Sequence, residues 1–305
     1  MTDAATIGFV GIGNMGWPMA ACLAKAGYRL QVADVRRATA DNFVQQVGGR
    51  VADSLASLAA DADVVITMLP TSGHVSSVMA ENIDNLLAGL RPGSVVIDMT
   101  SGQPAITRIL AAQVAAAGSV LIDAPVSGGV ARARTGELAI MVGGDADVLA
   151  RVRPILAAMG SSILPCGAVG AGQAMKALNN LSSGGGFLIA VEALLIGMRA
   201  GLDPNVMVDV LNASTGMNNA TQKKLRQFVL SRSFDSGFSL DLMVKDLSIA
   251  LEIGRDGATP TPFASLCREL WAAAAASLGP GQDHTAIAKF SENLVGTQLR
   301  AANDA

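Results

Sequence analysis

The sequence predicts an α/β chain in two parts: a parallel-sheet domain over residues 1–165 and an all-helical domain over residues 166–305, joined by a long interdomain helix. Three observations carry this. Short apolar runs alternate with helical patterns through the first 165 residues, the rhythm of repeated βαβ units. A glycine-rich turn separates the first apolar run from the first helix. Beyond about residue 165 the apolar runs stop and only helical patterns remain.

Taken in order, Thr6–Val10 reads as the first strand, then glycines and a helix to about Ala26. Leu30–Ala33, Asp63–Met68, Ser94–Asp98 and Val120–Asp123 read as further strands. Helical patterns over Ser54–Ala60, about 74–89 and Gln103–Ala117 lie between them. Leu138–Val142 is another strand, then a helix over Asp145–Met159 and a last strand over Ser161–Leu164. The strands are continuous rather than alternating apolar runs, as expected of a sheet covered on both faces. A long apolar helical pattern free of proline follows, from about Gly172 to Ala200. Asp203 then caps a helix that has Pro204 in its first turn. Further helical patterns cover about 218–231, 240–256, 260–277 and 284–300.

Composition excludes several classes. Half the residues are hydrophobic and 15% charged, which is incompatible with intrinsic disorder. A net charge of -3 leaves no basic excess for a nucleic-acid backbone. Mean hydropathy is +0.42, which raises the question of a membrane. The longest uncharged stretch, residues 154–175, is broken by Pro165 and four glycines and so reads as helix end, strand and turn. No basic then apolar leader opens the chain, so a cytoplasmic protein is expected. Cys22, Cys166 and Cys267 are scattered, which suggests neither disulfides nor a metal site.

Gly11-Ile12-Gly13-Asn14-Met15-Gly16 matches GxGxxG and stands between strand and helix, the context that gives the motif meaning. Gly11 would permit the tight turn, Gly13 the approach of a pyrophosphate, and Gly16 close helix–strand packing. The helix N-terminus would offer its amides to the phosphates. Asp34, 23 residues after Gly11, ends the second strand where a carboxylate bonds the ribose of NAD. NAD is therefore expected, with NADP as the alternative because Arg36 and Arg37 follow at once.

A hydroxyl oxidation needs a proton acceptor. His74 and His284 read as surface or loop residues. Of six lysines only Lys176 lies in the long apolar helix, where Lys176, Asn180 and Ser183 share one face at i, i+4 and i+7. Partial desolvation would suit such a lysine to acid–base work near neutral pH. A lysine snorkelling from a helix edge fits the residues equally. Ser127-Gly128-Gly129 can form an anion-binding nest or a plain turn. Arg132 and Arg134 just beyond it would suit a more anionic substrate, or are solvated.

Five segments resemble, in order, the motifs of the β-hydroxyacid dehydrogenase family, which includes 3-hydroxyisobutyrate dehydrogenase and tartronate semialdehyde reductase. They are residues 8–20 (GFVGIGNMGWPMA), 123–129 (DAPVSGG), 172–180 (GQAMKALNN), 245–247 (KDL) and 283–286 (DHTA). The resemblance implies a Rossmann domain, a long interdomain helix and a helical domain that builds a homodimer or homotetramer. It implies a small carboxylate substrate, no nucleic acid, no membrane and no metal. Lys176 matches the family's catalytic lysine, Asn180 its substrate-binding asparagine, and Ser127, Gly128 and Gly129 its substrate motif. Cofactor contacts would fall at Gly11, Ile12, Gly13, Asn14, Met15, Gly16, Asp34, Leu69, Pro70, Ser101 and Lys245. Locally, Lys245 can instead pair with Asp241, and Met15 can be a packing residue.

Two departures stand out. Gly184-Gly185-Gly186 interrupts the helical pattern, at about 1 kcal/mol per glycine relative to alanine, and would admit a ligand or partner. Glu137 stands where a threonine is expected, which bears on substrate identity. The reading is therefore hydride transfer between NAD and a small 3-hydroxy acid. Tartronate semialdehyde reduction is the near alternative, favoured by Asp283-His284-Thr285-Ala286. A non-catalytic dinucleotide-binding protein is the distant one, needing neither Lys176, Asn180 nor Ser127. The chain is short for a 6-phosphogluconate dehydrogenase, and Lys176 argues against an imine reductase.

Overall fold

The computed structural model describes residues 5–300. The chain divides into two compact units, Met1–Lys176 and Ala177–Ala305. The division falls inside a 29-residue helix, Ala171–Arg199, rather than at the change of sequence texture near 165.

The first unit is a nine-stranded sheet. Its strands are β1 (Thr6–Val10), β2 (Arg29–Ala33), β3 (Arg50–Val51), β4 (Val64–Thr67), β5 (Val95–Asp98), β6 (Val120–Asp123), β7 (Val126–Ser127), β8 (Ala139–Gly143) and β9 (Ser162–Gly167). The first six run parallel in the order β3-β2-β1-β4-β5-β6, the doubly wound arrangement. Every residue of β4 and β5 is buried, because helices cover both faces. Those helices include α1 (Gly16–Lys25), α2 (Arg37–Val47), α3 (Leu55–Asp61), α4 (Ser72–Ser76), α5 (Pro104–Ala116), α6 (Gly129–Thr135) and α7 (Ala146–Ala157). One face packs Ile7, Phe9, Ile66 and Ile97 with Met19 and Leu23, the other Val65, Val96 and Leu121 with Leu58 and Leu110.

The uniformly parallel sheet implied by the βαβ rhythm ends at β6. After Asp123 the chain doubles back, β7 pairs antiparallel with β8, and β8 meets β6 antiparallel. The expected helix over 74–89 also breaks early. It passes into a π-helical turn over Ser77–Glu81 and leaves helical geometry at Asn82. The polar residues that follow serve other backbone groups instead: Asp84 accepts N–H bonds from Leu55 and Ala56, and Asn85 accepts one from Ala88.

The second unit, over its described residues, is helical, with an isolated bridge between Ser239 and Asp283. It contains most of α8 (Ala171–Arg199), then α9 (Pro204–Asn212), α10 (Asn219–Lys223), α11 (Leu240–Asp256), α12 (Pro262–Leu278) and α13 (Ile287–Val295). Asp203 caps α9 through Asn205 and Val206, with Pro204 at its start, as expected. The patterns expected as single helices over 218–231 and 284–300 are composite. A π-helical turn over Leu225–Leu230 follows α10, and a 3₁₀ turn over His284–Ala286 precedes α13, which Gly296 ends. Phe187, Val191, Leu194, Leu247, Trp271 and Ile287 form the core.

The glycine run does not interrupt α8. The helix is continuous through it, and neighbours in the same unit use the space. Trp271 Nε1 donates to the Gly184 carbonyl at 3.3 Å, and Asn218 Nδ2 to that of Gly186 at 3.1 Å. A Cβ on Gly185 would sit 3.0 Å from the Phe263 ring. By length and composition α8 could cross a membrane, yet half of its most apolar stretch is buried within the protein.

Candidate active site

The turn between β1 and α1 gives its three glycines three different physical roles. Gly11 has φ +98°, and a Cβ there would lie 2.3 Å from the Met68 carbonyl oxygen. A Cβ on Gly16 would lie 1.8 Å from the Gly11 carbonyl oxygen, so helix and strand meet backbone to backbone. At Gly13 nothing lies within 4 Å of that position. The loop is thus tightly held at both ends and open in the middle. No side chain caps helix α1 at Met15; within its first turn Trp17 N–H donates to the Gly13 carbonyl at 2.9 Å and Pro18 has no N–H, so an anion would be met by the loop amides up to Gly16. This arrangement fits the pyrophosphate of a dinucleotide.

Asp34, at the end of β2, lies beside this loop. Its carboxylate accepts N–H bonds from Ile12 and Arg36, both at 2.9 Å, with Arg36 Nε at 3.8 Å. Met15 packs against the first unit's core, the role left open for it by the sequence. Neighbouring β1 and β4 lead to opposite sides of the sheet, and ligands of such sheets bind beyond the strand ends at that switch. Leu69 and Pro70 follow β4 there, and Ser101 follows β5. Leu69 N–H donates to Thr100 Oγ1 at 3.0 Å, so the two strand-end loops are tied together.

Two carboxylates close the adjacent strands β5 and β6, in register with each other: Asp98 and Asp123. Both are buried. Burial pushes the Asp98 carboxyl up to about 6, against bonds from Thr67 and Thr100 that favour its charged form. Burial likewise pushes Asp123 up, opposed by the Gly170 and Gln173 amides. Those bonds, at 2.6 and 2.8 Å, cap the N-terminus of α8.

Ser127 ends β7, and Gly128 and Gly129 follow with φ +135° and +68°. A Cβ on Gly128 would press on the Arg132 stem at 2.8 Å, so the arginine lies across the turn. Glu137, the unexpected acid, is exposed and accepts a bond from Thr135 Oγ1 at 2.8 Å. Lys176 is only 8% exposed.

In the second unit Asn180, one helical turn beyond Lys176, donates to Asp246 Oδ2 and accepts from Asn179 Nδ2 at 3.1 Å. Lys245 Nζ lies 3.3 Å from Asp246 Oδ1. Asp246, 1% exposed, thus joins the expected substrate asparagine to the expected cofactor lysine. His284, read from sequence as surface or loop, lies in a short 3₁₀ turn but is only 3% exposed, so the surface reading is corrected. Its ring stands among Phe187, Phe238 and Trp271. Lys224 Nζ lies 2.9 Å from Nε2 and Ser236 Oγ 2.9 Å from Nδ1. Burial pushes the imidazole pKa down. No cluster of metal-ligating side chains occurs among the described residues.

Sequence reasoning gave no role to Asp98, nor to Gln173 and Asp246, although the last two lie within the quoted motifs. The first had a visible signal, a carboxylate ending an otherwise fully apolar strand (VVID). The other two lie in helices, where spacing alone does not separate buried from solvated polar residues.

Residues 6–169 match the family model described as the NAD binding domain of 6-phosphogluconate dehydrogenase. Residues 170–291 match that described as NAD-binding of NADP-dependent 3-hydroxyisobutyrate dehydrogenase. The chain is 35% identical to a 2-(hydroxymethyl)glutarate dehydrogenase of Eubacterium barkeri, over 98% of this chain and 99% of the relative. It is 40% identical to a 3-hydroxyisobutyrate dehydrogenase of Pseudomonas aeruginosa, over 95% and 98%. A Mycobacterium tuberculosis 3-hydroxyisobutyrate dehydrogenase solved with L-serine superposes with a TM-score of 0.87 at 34% identity, over 95% and 99%. Imine reductases such as that of Streptomyces aurantiacus share the fold at 18% identity. With a dinucleotide-shaped glycine loop, a doubly wound sheet and relatives matched end to end, the chain belongs to the β-hydroxyacid dehydrogenase family and is an NAD(P)-dependent hydroxyacid dehydrogenase.

Proposed function

We propose that this chain oxidises the β-hydroxyl of a small 3-hydroxy acid with NAD, and that Lys176 is the general acid–base. The observation that carries the reading is Lys176 itself, 8% exposed and one turn before the buried Asn180 on α8. The hydroxy acids named for the relatives, 2-(hydroxymethyl)glutarate and 3-hydroxyisobutyrate, both bear the hydroxyl on the β carbon. As the neutral amine, Lys176 takes the hydroxyl proton; in the reverse direction its ammonium returns it. Ser127 and the amides of Gly128 and Gly129 bind the carboxylate, and Asn180, steadied by Asp246, orients the substrate. Residues Gly11 to Gly16, Asp34, Leu69, Pro70, Ser101 and Lys245 would hold the dinucleotide, which when bound would supply the hydride acceptor. The Asp34 carboxylate favours NAD by repelling a 2′-phosphate.

Following NADH absorbance tests this, with NAD and NADP in parallel. The substrates are both enantiomers of 3-hydroxyisobutyrate, D-glycerate, 3-hydroxypropionate, L-serine and L-threonate. Turnover with NAD, lost by a thousandfold or more in Lys176→Ala, is the expected outcome. Undiminished turnover in Lys176→Ala overturns the assignment, and a marked preference for D-glycerate moves it to tartronate semialdehyde reduction.

The reading extends to a cytoplasmic homodimer or homotetramer. Ile189 and Ile196 on α8 and Val206 and Val210 on α9 are more than half exposed, apolar surface suited to a second copy. Sedimentation should give a mass above one chain; a monomer of 31.0 kDa overturns this.

A further inference from the structure

The amide of Gln173 is 1% exposed and makes two opposed bonds to one loop. Its Oε1 accepts the Gly102 N–H at 2.7 Å, and its Nε2 donates to the Thr100 carbonyl, also at 2.7 Å. The two bonds bracket Ser101. Nε2 also stands 3.4 Å from Asp98 Oδ2, and the Gln173 backbone N–H donates to Asp123 Oδ2 at 2.8 Å. One residue therefore ties the first turn of α8 to the ends of both β5 and β6. Lys176 lies three residues on, on the same side of the helix.

We propose that Gln173 is a positioning residue that holds the Lys176 amine in fixed register with the Ser101 loop. This rests on the reading of Lys176 and Ser101 given above. Hydride and proton leave neighbouring atoms of the same carbinol, so the group that takes the proton and the loop that orients the hydride acceptor must keep a constant separation. Misplacement by about 1 Å can cost on the order of a hundredfold in rate. A glutamine is suited to this because one planar amide both accepts and donates, gripping the loop from either side of Ser101.

Three variants test it: Gln173→Met, which keeps the length and removes both bonds; Gln173→Glu, which keeps the acceptor and removes the donor; and Lys176→Ala as reference. Hydrogen exchange of the segment 99–103 is measured on the protein without cofactor. Steady-state kinetics then give kcat, KM and the pH profile of kcat.

In Gln173→Met, exchange at 99–103 should rise while β4 and β5 stay protected, and kcat should fall ten- to a hundredfold with KM for the hydroxy acid within threefold. In Gln173→Glu, kcat relative to the unsubstituted protein should recover as pH falls from 8 to 6, because the protonated carboxyl again donates to the Thr100 carbonyl. A folded Gln173→Met with unchanged kcat, or with unchanged exchange at 99–103, overturns the proposal. So does a Gln173→Glu profile parallel to that of the unsubstituted protein, and this arm decides if the methionine variant does not fold. Lys176→Ala separates the two failures. Loss of turnover there with 99–103 still protected leaves only the role of Gln173 in question, whereas retained turnover overturns the catalytic reading and leaves the exchange result standing.

Discussion

At the scale of single residues, the glycine loop shows how one residue type serves unlike purposes within six positions. Gly16 has no Cβ because the Gly11 carbonyl already occupies that place, whereas Gly13 has none although nothing in the protein would obstruct it. The first is a packing requirement, while the second leaves the loop open where a pyrophosphate would approach. The two alanine variants should accordingly part company. Gly16→Ala forces backbone apart and should lose about 3 kcal/mol in urea unfolding, at the upper end of overpacking costs. Gly13→Ala should stay within about 0.5 kcal/mol of the unsubstituted protein. Its NADH affinity, read by fluorescence titration, should nevertheless drop at least tenfold. Equal stability losses at the two positions would contradict this division of roles.

At the scale of elements, the ends of β5 and β6 are where regular structure and chemistry meet. Two apolar strands end in carboxylates, and the first turn of α8 is fastened to both. Burial of Asp98 has a measurable consequence. The carboxyl ionises near pH 3.8 in an unfolded chain and at about 6 in the folded one, so the folded state holds the proton more tightly. Its contribution to stability is therefore intact below pH 4 and falls as pH rises to about 6, by about 3 kcal/mol at roughly 1.4 kcal/mol per pH unit. Asp98→Asn does not titrate. Relative to the unsubstituted protein it should gain about 2 kcal/mol of that between pH 4 and pH 6.5, whatever its offset at pH 4. Urea unfolding at four pH values checks this, and a constant difference between the two proteins would refute it. The same scale explains the early end of α4. A helical hydrophobic pattern over 74–89 is present, but Asp84 and Asn85 spend their side chains on backbone amides elsewhere, and the helix stops.

At the scale of the whole molecule, each unit carries a buried titratable group, and the two respond oppositely to acid. In the second unit the His284 ring stands with Nε2 2.9 Å from Lys224 Nζ, and burial holds its pKa below the ordinary 6.5. A depressed histidine leaves stability intact above pH 6.5 and removes it as pH falls through the folded value. The neighbouring Asp283 acts in the same sense. Burial raises its carboxyl, but bonds from His284 and Thr285 outweigh that and hold it well below the usual range, so acid removes this contribution too. Between pH 6.5 and 5 the protein should lose stability through His284, and His284→Gln should lose less over the same interval. Thermal melts across that range decide it, and parallel pH dependences for the two proteins would refute it.

Much of this was readable from residues in a row. The glycine loop, the first strands, the cap at Asp203 and the helical nature of the second half follow from local rules: turn sterics, strand runs, caps and 3.6-residue periodicity. Lys176 and Asn180 stand out as a polar stripe on an otherwise apolar helix, but their roles came from the family resemblance and not from the stripe. Tertiary structure alone decided the rest. Burial is a property of what packs against a residue, so His284, which local sequence places on a surface, lies in an aromatic cage, and Asp246 and Gln173 are buried members of networks rather than solvated helix residues. The reversal of β8 and the occupants of the glycine run depend on partners far along the chain. Sequence periodicity determined most of the elements, though not α2, α6 or the short strands β3 and β7, whereas the pairing of distant polar groups, which no local rule encodes, determined where the protein places its buried charges.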